Sequence, residues 1–74
     1  MYEYRRLKDL REDAEKTQGE IATILSTTQQ QYYKYEAGIQ ELPMHHFITL
    51  AKYYNVSLDY LSGLVDVPRK LFPR

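Results

Sequence analysis

Gln29, Gln30 and Lys34 are the side chains of this sequence best suited to reading the edge of a nucleobase. A glutamine amide donates and accepts together, which matches N6 and N7 of adenine. A lysine ammonium suits guanine O6 and N7, or a phosphate oxygen. Tyr33 lies between them and offers a ring for a thymine methyl or a hydroxyl for a phosphate; a plain exposed aromatic is the equal alternative. Other chemistry is poorly served. His45 and His46 are adjacent, so on a helix their rings diverge by about a third of a turn and do not readily share a metal. Cysteine is absent, which removes thiolate metal sites and disulfides. No nucleophile is paired with a base, and no glycine-rich phosphate loop occurs. The sequence therefore predicts no enzyme, no metal, no cofactor and no small-molecule substrate.

These residues need elements to position them. At 74 residues, one domain is the natural expectation. Apolar residues recur at three- and four-residue steps, and strand-like alternation is absent, so an all-α fold is expected. The first segment, about Tyr4 to Glu15, places Leu7, Leu10 and Ala14 on one stripe. Thr17 followed by Glu20 forms a capping box, so a second helix begins at Gln18 and turns Ile21, Ala22 and Leu25 inward. Ser26-Thr27 interrupts. Thr28 and Gln31 form a second capping box, whose helix carries Tyr32 and Tyr35 inward and stops at Gly38. Pro43 opens a fourth helix with Met44, Phe47, Ile48, Ala51 and Tyr54 as its apolar stripe. Asn55 ends that helix. Val56 and Ser57 then staple and cap a short fifth helix containing Leu58 and Leu61. Two short helices separated by a turn of about three residues form a helix-turn-helix, here at about residues 18–36.

The sequence resembles the Cro/CI-type, or XRE, family of helix-turn-helix regulators, which includes the lambdoid phage repressors. The resemblance runs from about Leu7 to Gly63. It is carried by Thr17-Gln18-Gly19-Glu20-Ile21-Ala22, by Thr28-Gln29-Gln30-Gln31-Tyr32, by Lys34-Tyr35-Glu36-Ala37-Gly38, and by the run Leu50 to Leu61, in order and at the family's spacing. It implies a five-helix, lambda-repressor-like DNA-binding domain. The small Ala22 suits the close crossing of the two helices. The family usually places glycine in the turn, where φ is positive; Ser26 stands there instead, at a strain of about 1 kcal/mol.

The resemblance also implies residue roles. The second helix of the motif presents its first residues to base edges in the major groove. Gln29, Gln30 and Lys34 carry the base-reading positions, joined by Tyr33. Gln18 is the family's phosphate clamp, with Thr28 and the backbone near Gln40 adding to it. Gln31 is assigned to the cap rather than to DNA. Arg11 and Glu36 match a pair that forms a buried salt bridge.

One property runs against a simple charge-driven binder. Ten basic and ten acidic residues give a formal net charge of zero. The loop after the recognition helix, normally basic in this family, carries Glu41. Dimerisation is the expected remedy, since it joins two weak half-sites. The tail, residues 64–74, is expected to join the dimer contact: Leu64, Val65, Val67, Leu71 and Phe72 are too apolar for a solvated end. Tyr53 and Tyr60 are further candidates, whereas His45 and His46 read as surface residues. The expected function is a sequence-specific transcriptional repressor acting as a homodimer on a two-fold operator in double-stranded DNA. The alternatives are an antitoxin that also grips a protein partner, or an interaction module that has lost DNA binding. No apolar run has the length of a membrane span, and the N-terminus lacks a signal-peptide stretch, so a cytoplasmic location is expected.

Overall fold

The computed structural model describes residues 2–63, which hold five helices and no strand. They are α1 (Arg5–Asp13), α2 (Gln18–Ile24), α3 (Gln29–Glu36), α4 (Met44–Tyr54) and α5 (Leu58–Ser62). No helix among them is long and apolar enough to cross a membrane. The expectations for residues 64–74 lie outside the described residues.

Local chemistry sets the helix starts. Thr17 Oγ1 accepts from the Glu20 N–H at 3.1 Å, and the Glu20 carboxylate accepts from the Thr17 N–H at 2.8 Å, a complete capping box. The Thr17 N–H holds the Glu20 carboxyl below its usual range. Ser57 caps α5 through the Tyr60 N–H at 3.1 Å. Thr28 caps α3 through the Gln31 N–H at 3.1 Å, but this box is only half formed. The Gln31 amide turns away and donates to Gln40 Oε1, so it ties α3 to the following loop instead of closing the cap.

Left-handed residues set the helix ends. Glu15, Ser26 and Asn55 have φ of 57°, 57° and 55°, and Gly38 and Gly63 follow α3 and α5 with φ of 74° and 90°. After Ser26 the chain folds back, and the Thr27 N–H reaches the Ala22 carbonyl at 2.9 Å. This is the tight turn of the motif, with serine where glycine would be unstrained. At Glu15 the reversal comes early: α1 stops at Asp13, and Ala14 is exposed rather than part of the expected stripe.

The core joins Leu7, Ile21, Ala22, Leu25, Tyr32, Tyr35, Leu42, Leu50, Ala51, Val56 and Leu61, with Tyr4, Leu10, Phe47, Tyr54 and Tyr60 packed around it. The most extensive helix contact is α2 against α3; α1 packs on α3 and α5, and α4 on α5. Helix α4 keeps Phe47, Ala51 and Tyr54 of the expected stripe against the core but not Met44 and Ile48. It buries His46, Leu50 and Ala51, while Met44 and Ile48 face solvent at 64 % and 41 % exposure. Apolar residues surround most of this helix, so periodicity alone does not fix the inward face. His46 is consequently buried beside the Tyr35 ring, 5.7 Å between centroids, and is not the surface residue expected.

The N-terminal tyrosines strap the loop after α3. The Tyr2 N–H donates to the Gly38 carbonyl at 3.0 Å, and the Leu42 N–H donates to the Tyr4 hydroxyl at 3.1 Å. The Tyr4 ring meets Phe47 edge-on at 5.5 Å. Tyr60, a candidate dimer contact by sequence, carries the Arg6 guanidinium over its ring at 4.5 Å within the chain.

Candidate nucleic-acid interface

The outer face of the motif is an open groove of about 720 Å³ lined by Gln18, Gln29, Gln30, Tyr33 and Lys34. Four of these project from the exposed side of α3, whose opposite side is fixed by the buried Tyr32 and Tyr35. The fifth, Gln18, opens α2, so the close α2–α3 crossing brings the two helices' contributions together. Gly19 faces Gln29 at that crossing: a Cβ on it would lie 3.6 Å from Gln29 Oε1, an ordinary contact. Of the residues singled out in the sequence for phosphate contact, only Gln18 lines this groove. Thr28 holds the α3 cap, and Gln40, exposed in the following loop, accepts from Gln31.

A second groove, of about 390 Å³, shares Gln18 and Tyr33 with the first and is completed by Lys8, Arg11, Glu36 and Ala37. At its floor Arg11 grips Glu36 bidentately, Nε to Oε2 at 2.6 Å and an Nη to Oε1 at 3.2 Å. Its other Nη donates to the Lys16 carbonyl at 3.0 Å, which closes the α1–α2 turn. Gln18 Nε2 donates to Glu36 Oε1 at 3.1 Å, so the same carboxylate orients the amide that lines both grooves. The buried Tyr32 hydroxyl faces that carboxylate. Burial pushes the Glu36 carboxyl up, but hydrogen bonding to Arg11, Tyr32 and Gln18 outweighs burial and holds it below its usual range. The Arg11 guanidinium is pushed up, chiefly by its bond to Glu36. Burial, then the hydrogen bond to Glu36, pushes the Tyr32 phenol well above its usual range.

The charge on this face resolves the neutral net charge of the chain. Among the described residues Glu36 is the one acid lining either groove, and Arg11 neutralises it. No described acid pairs with Lys8 or Lys34 there. Asp9, Glu12, Asp13, Glu15, Glu20, Glu41 and Asp59 are exposed and line neither groove.

A groove lined by amides and lysine on the second helix of a tight two-helix turn, matched by a helix-turn-helix family model over residues 7–61, decides the identity. The chain belongs to the XRE-type helix-turn-helix family. The family is one of DNA-binding transcription regulators. The domain is 35 % identical over 63 residues to a Bacillus subtilis (strain 168) protein named "Uncharacterized HTH-type transcriptional regulator YobD". That match covers 85 % of this chain and 56 % of the relative, so the domain spans little more than half of the relative's length. No solved structure matches the helix-turn-helix chain.

Lys8 belongs to none of the sequence motifs above. Its three-residue spacing from Arg11 is the signal that sets both on one side of α1. The Gln31–Gln40 bond had no such signal, because it depends on where the loop after α3 runs.

Proposed function

We propose that this domain is a sequence-specific transcriptional repressor that binds a two-fold operator as a homodimer. The observation that carries the reading is the groove of Gln18, Gln29, Gln30, Tyr33 and Lys34, with no acid on it among the described residues. Gln29 and Gln30 read base edges from the first turn of α3, and Lys34 does so one turn later. Gln18 holds a phosphate through its amide, already oriented by Glu36. Two uncompensated lysines give a single domain few ionic contacts, which supports the dimer: two such faces on one duplex combine through effective concentration.

The test is selection of bound sequences from random duplexes at low salt. A palindromic motif is expected. Recovery of no enriched sequence by folded protein refutes the reading. Alanine at Gln29 or Gln30 is expected to relax the preference at one base pair, by about 1–3 kcal/mol each. Alanine at Gln18 is expected to weaken all sequences alike.

A second reading adds a protein partner, as in an antitoxin. It draws on the exposed Ile39, Met44 and Ile48, which no described residue covers. Co-purification with a second small protein from the native source distinguishes the two.

A further inference from the structure

We propose that the second groove seats one phosphodiester of the DNA backbone, held between the Lys8 ammonium and the Tyr33 hydroxyl. The proposal rests on the reading above and extends it onto α1. Three observations converge. The groove is continuous with the base-reading groove, because Gln18 and Tyr33 form the wall between them. A duplex lying in the first groove therefore brings a sugar–phosphate strand along the second. The groove's charge is suited to an anion: Arg11 and Glu36 cancel each other at the floor, so Lys8 supplies the net charge. Tyr33 is 51 % exposed in this wall, so its hydroxyl is available as a donor.

This assignment separates two roles that the sequence leaves open for Tyr33. As a phosphate donor it contributes affinity without base preference; against a thymine methyl it would contribute base preference. Lys8 acts as a point charge, so its contribution is read in the salt dependence of binding. Each neutralised phosphate adds about 0.9 to the slope of log affinity against log salt on duplex DNA.

The experiment compares wild type, Lys8→Ala, Lys8→Glu, Tyr33→Phe and a control, Lys52→Ala, on the selected operator from about 50 to 200 mM salt. Lys8 and Lys52 are exposed, so these variants keep the fold, which circular dichroism checks. Lys8→Ala is expected to lower the slope by about 0.9, so the wild type's advantage shrinks about 3.5-fold over that fourfold salt range. Lys8→Glu weakens binding further. Tyr33→Phe weakens all sequences by the same factor and leaves the selected motif unchanged. Lys52→Ala, outside both grooves, leaves the slope as it is. A Lys8→Ala slope equal to wild type overturns the proposal while the base reading stands. A Tyr33→Phe protein that selects a different base overturns Tyr33's part in it and assigns that residue to base readout. Wild type that binds no duplex overturns both readings at once.

Discussion

Replacing Arg11 with leucine tests the ion pair on which the groove floor is built. The Arg11 and Glu36 side chains are only 13 % and 5 % exposed. In Arg11→Leu, Glu36 keeps the Gln18 amide but loses both guanidinium bonds, and the Lys16 carbonyl loses its donor. Removing one partner of a buried pair costs about 3–5 kcal/mol, whereas an exposed pair is worth at most about 1 kcal/mol. Burial puts this pair in the first class, and the part-exposure of Arg11 puts it at the lower end, about 3 kcal/mol. A domain of this size holds only about 3–5 kcal/mol in total, so the variant is expected to keep at most about 2 kcal/mol and to be measurably unfolded at room temperature. The assay is urea unfolding followed by far-UV circular dichroism in a stabilising background of sucrose. The double variant Arg11→Leu/Glu36→Leu is expected to recover most of the loss, because no charge is left buried. The pH dependence has a definite sign. Glu36 is held below its usual 4.5 in the native protein, so its contribution is present above that value and is lost as pH falls through the lowered one. In Arg11→Leu burial acts without the arginine and pushes the carboxyl up, so protonation relieves the variant and the gap narrows as pH falls below about 5. A loss under about 1 kcal/mol near neutral pH, or no recovery in the double variant, refutes the reasoning.

Three further outcomes follow from other parts of the fold. Ser26→Gly removes the left-handed strain of the turn and is expected to raise stability by about 0.5–1 kcal/mol, after the extra freedom glycine has when unfolded, as read by urea midpoint. Burial, then His45, holds His46 below its usual 6.5, so the unfolded chain takes up its proton first and stability declines as pH falls below about 6.5. His46→Leu is expected to flatten that decline in a series of melting curves across the range. Gly19→Ala places a methyl in ordinary contact with Gln29 and is expected to raise the melting temperature while leaving the selected DNA sequence unchanged.

The parts of the fold that were legible in the sequence are those decided within a few residues. Thr17, Thr28 and Ser57 each start a helix by a bond to the third residue onward, and Asn55, Gly38 and Gly63 end one by their own backbone preference. The groove was legible for the same reason: once α3 buries Tyr32 and Tyr35, helical geometry alone turns Gln29, Gln30, Tyr33 and Lys34 the other way. What escaped depended on distant chain. Helix α4 offers apolar residues on most of its circumference, and tertiary packing, with the His46 ring beside Tyr35, buries His46 and Leu50 in place of Met44 and Ile48. Gln31 leaves its cap because Gln40 is brought within reach by the loop that Tyr2 and Tyr4 strap down.

The sorting of charge on this domain has a kinetic consequence. With zero net charge and two unbalanced lysines on the groove face, the rest of the chain carries the opposite excess. Such a molecule feels little pull toward DNA as a whole, but near a duplex the field favours orientations that turn the two groove lysines toward it. Encounters are then few and well oriented. Wrong sequences, which hold a protein almost entirely through ionic contacts, would release it quickly; on the proposed base reading, the time spent on DNA would then be concentrated on sites that satisfy the glutamines.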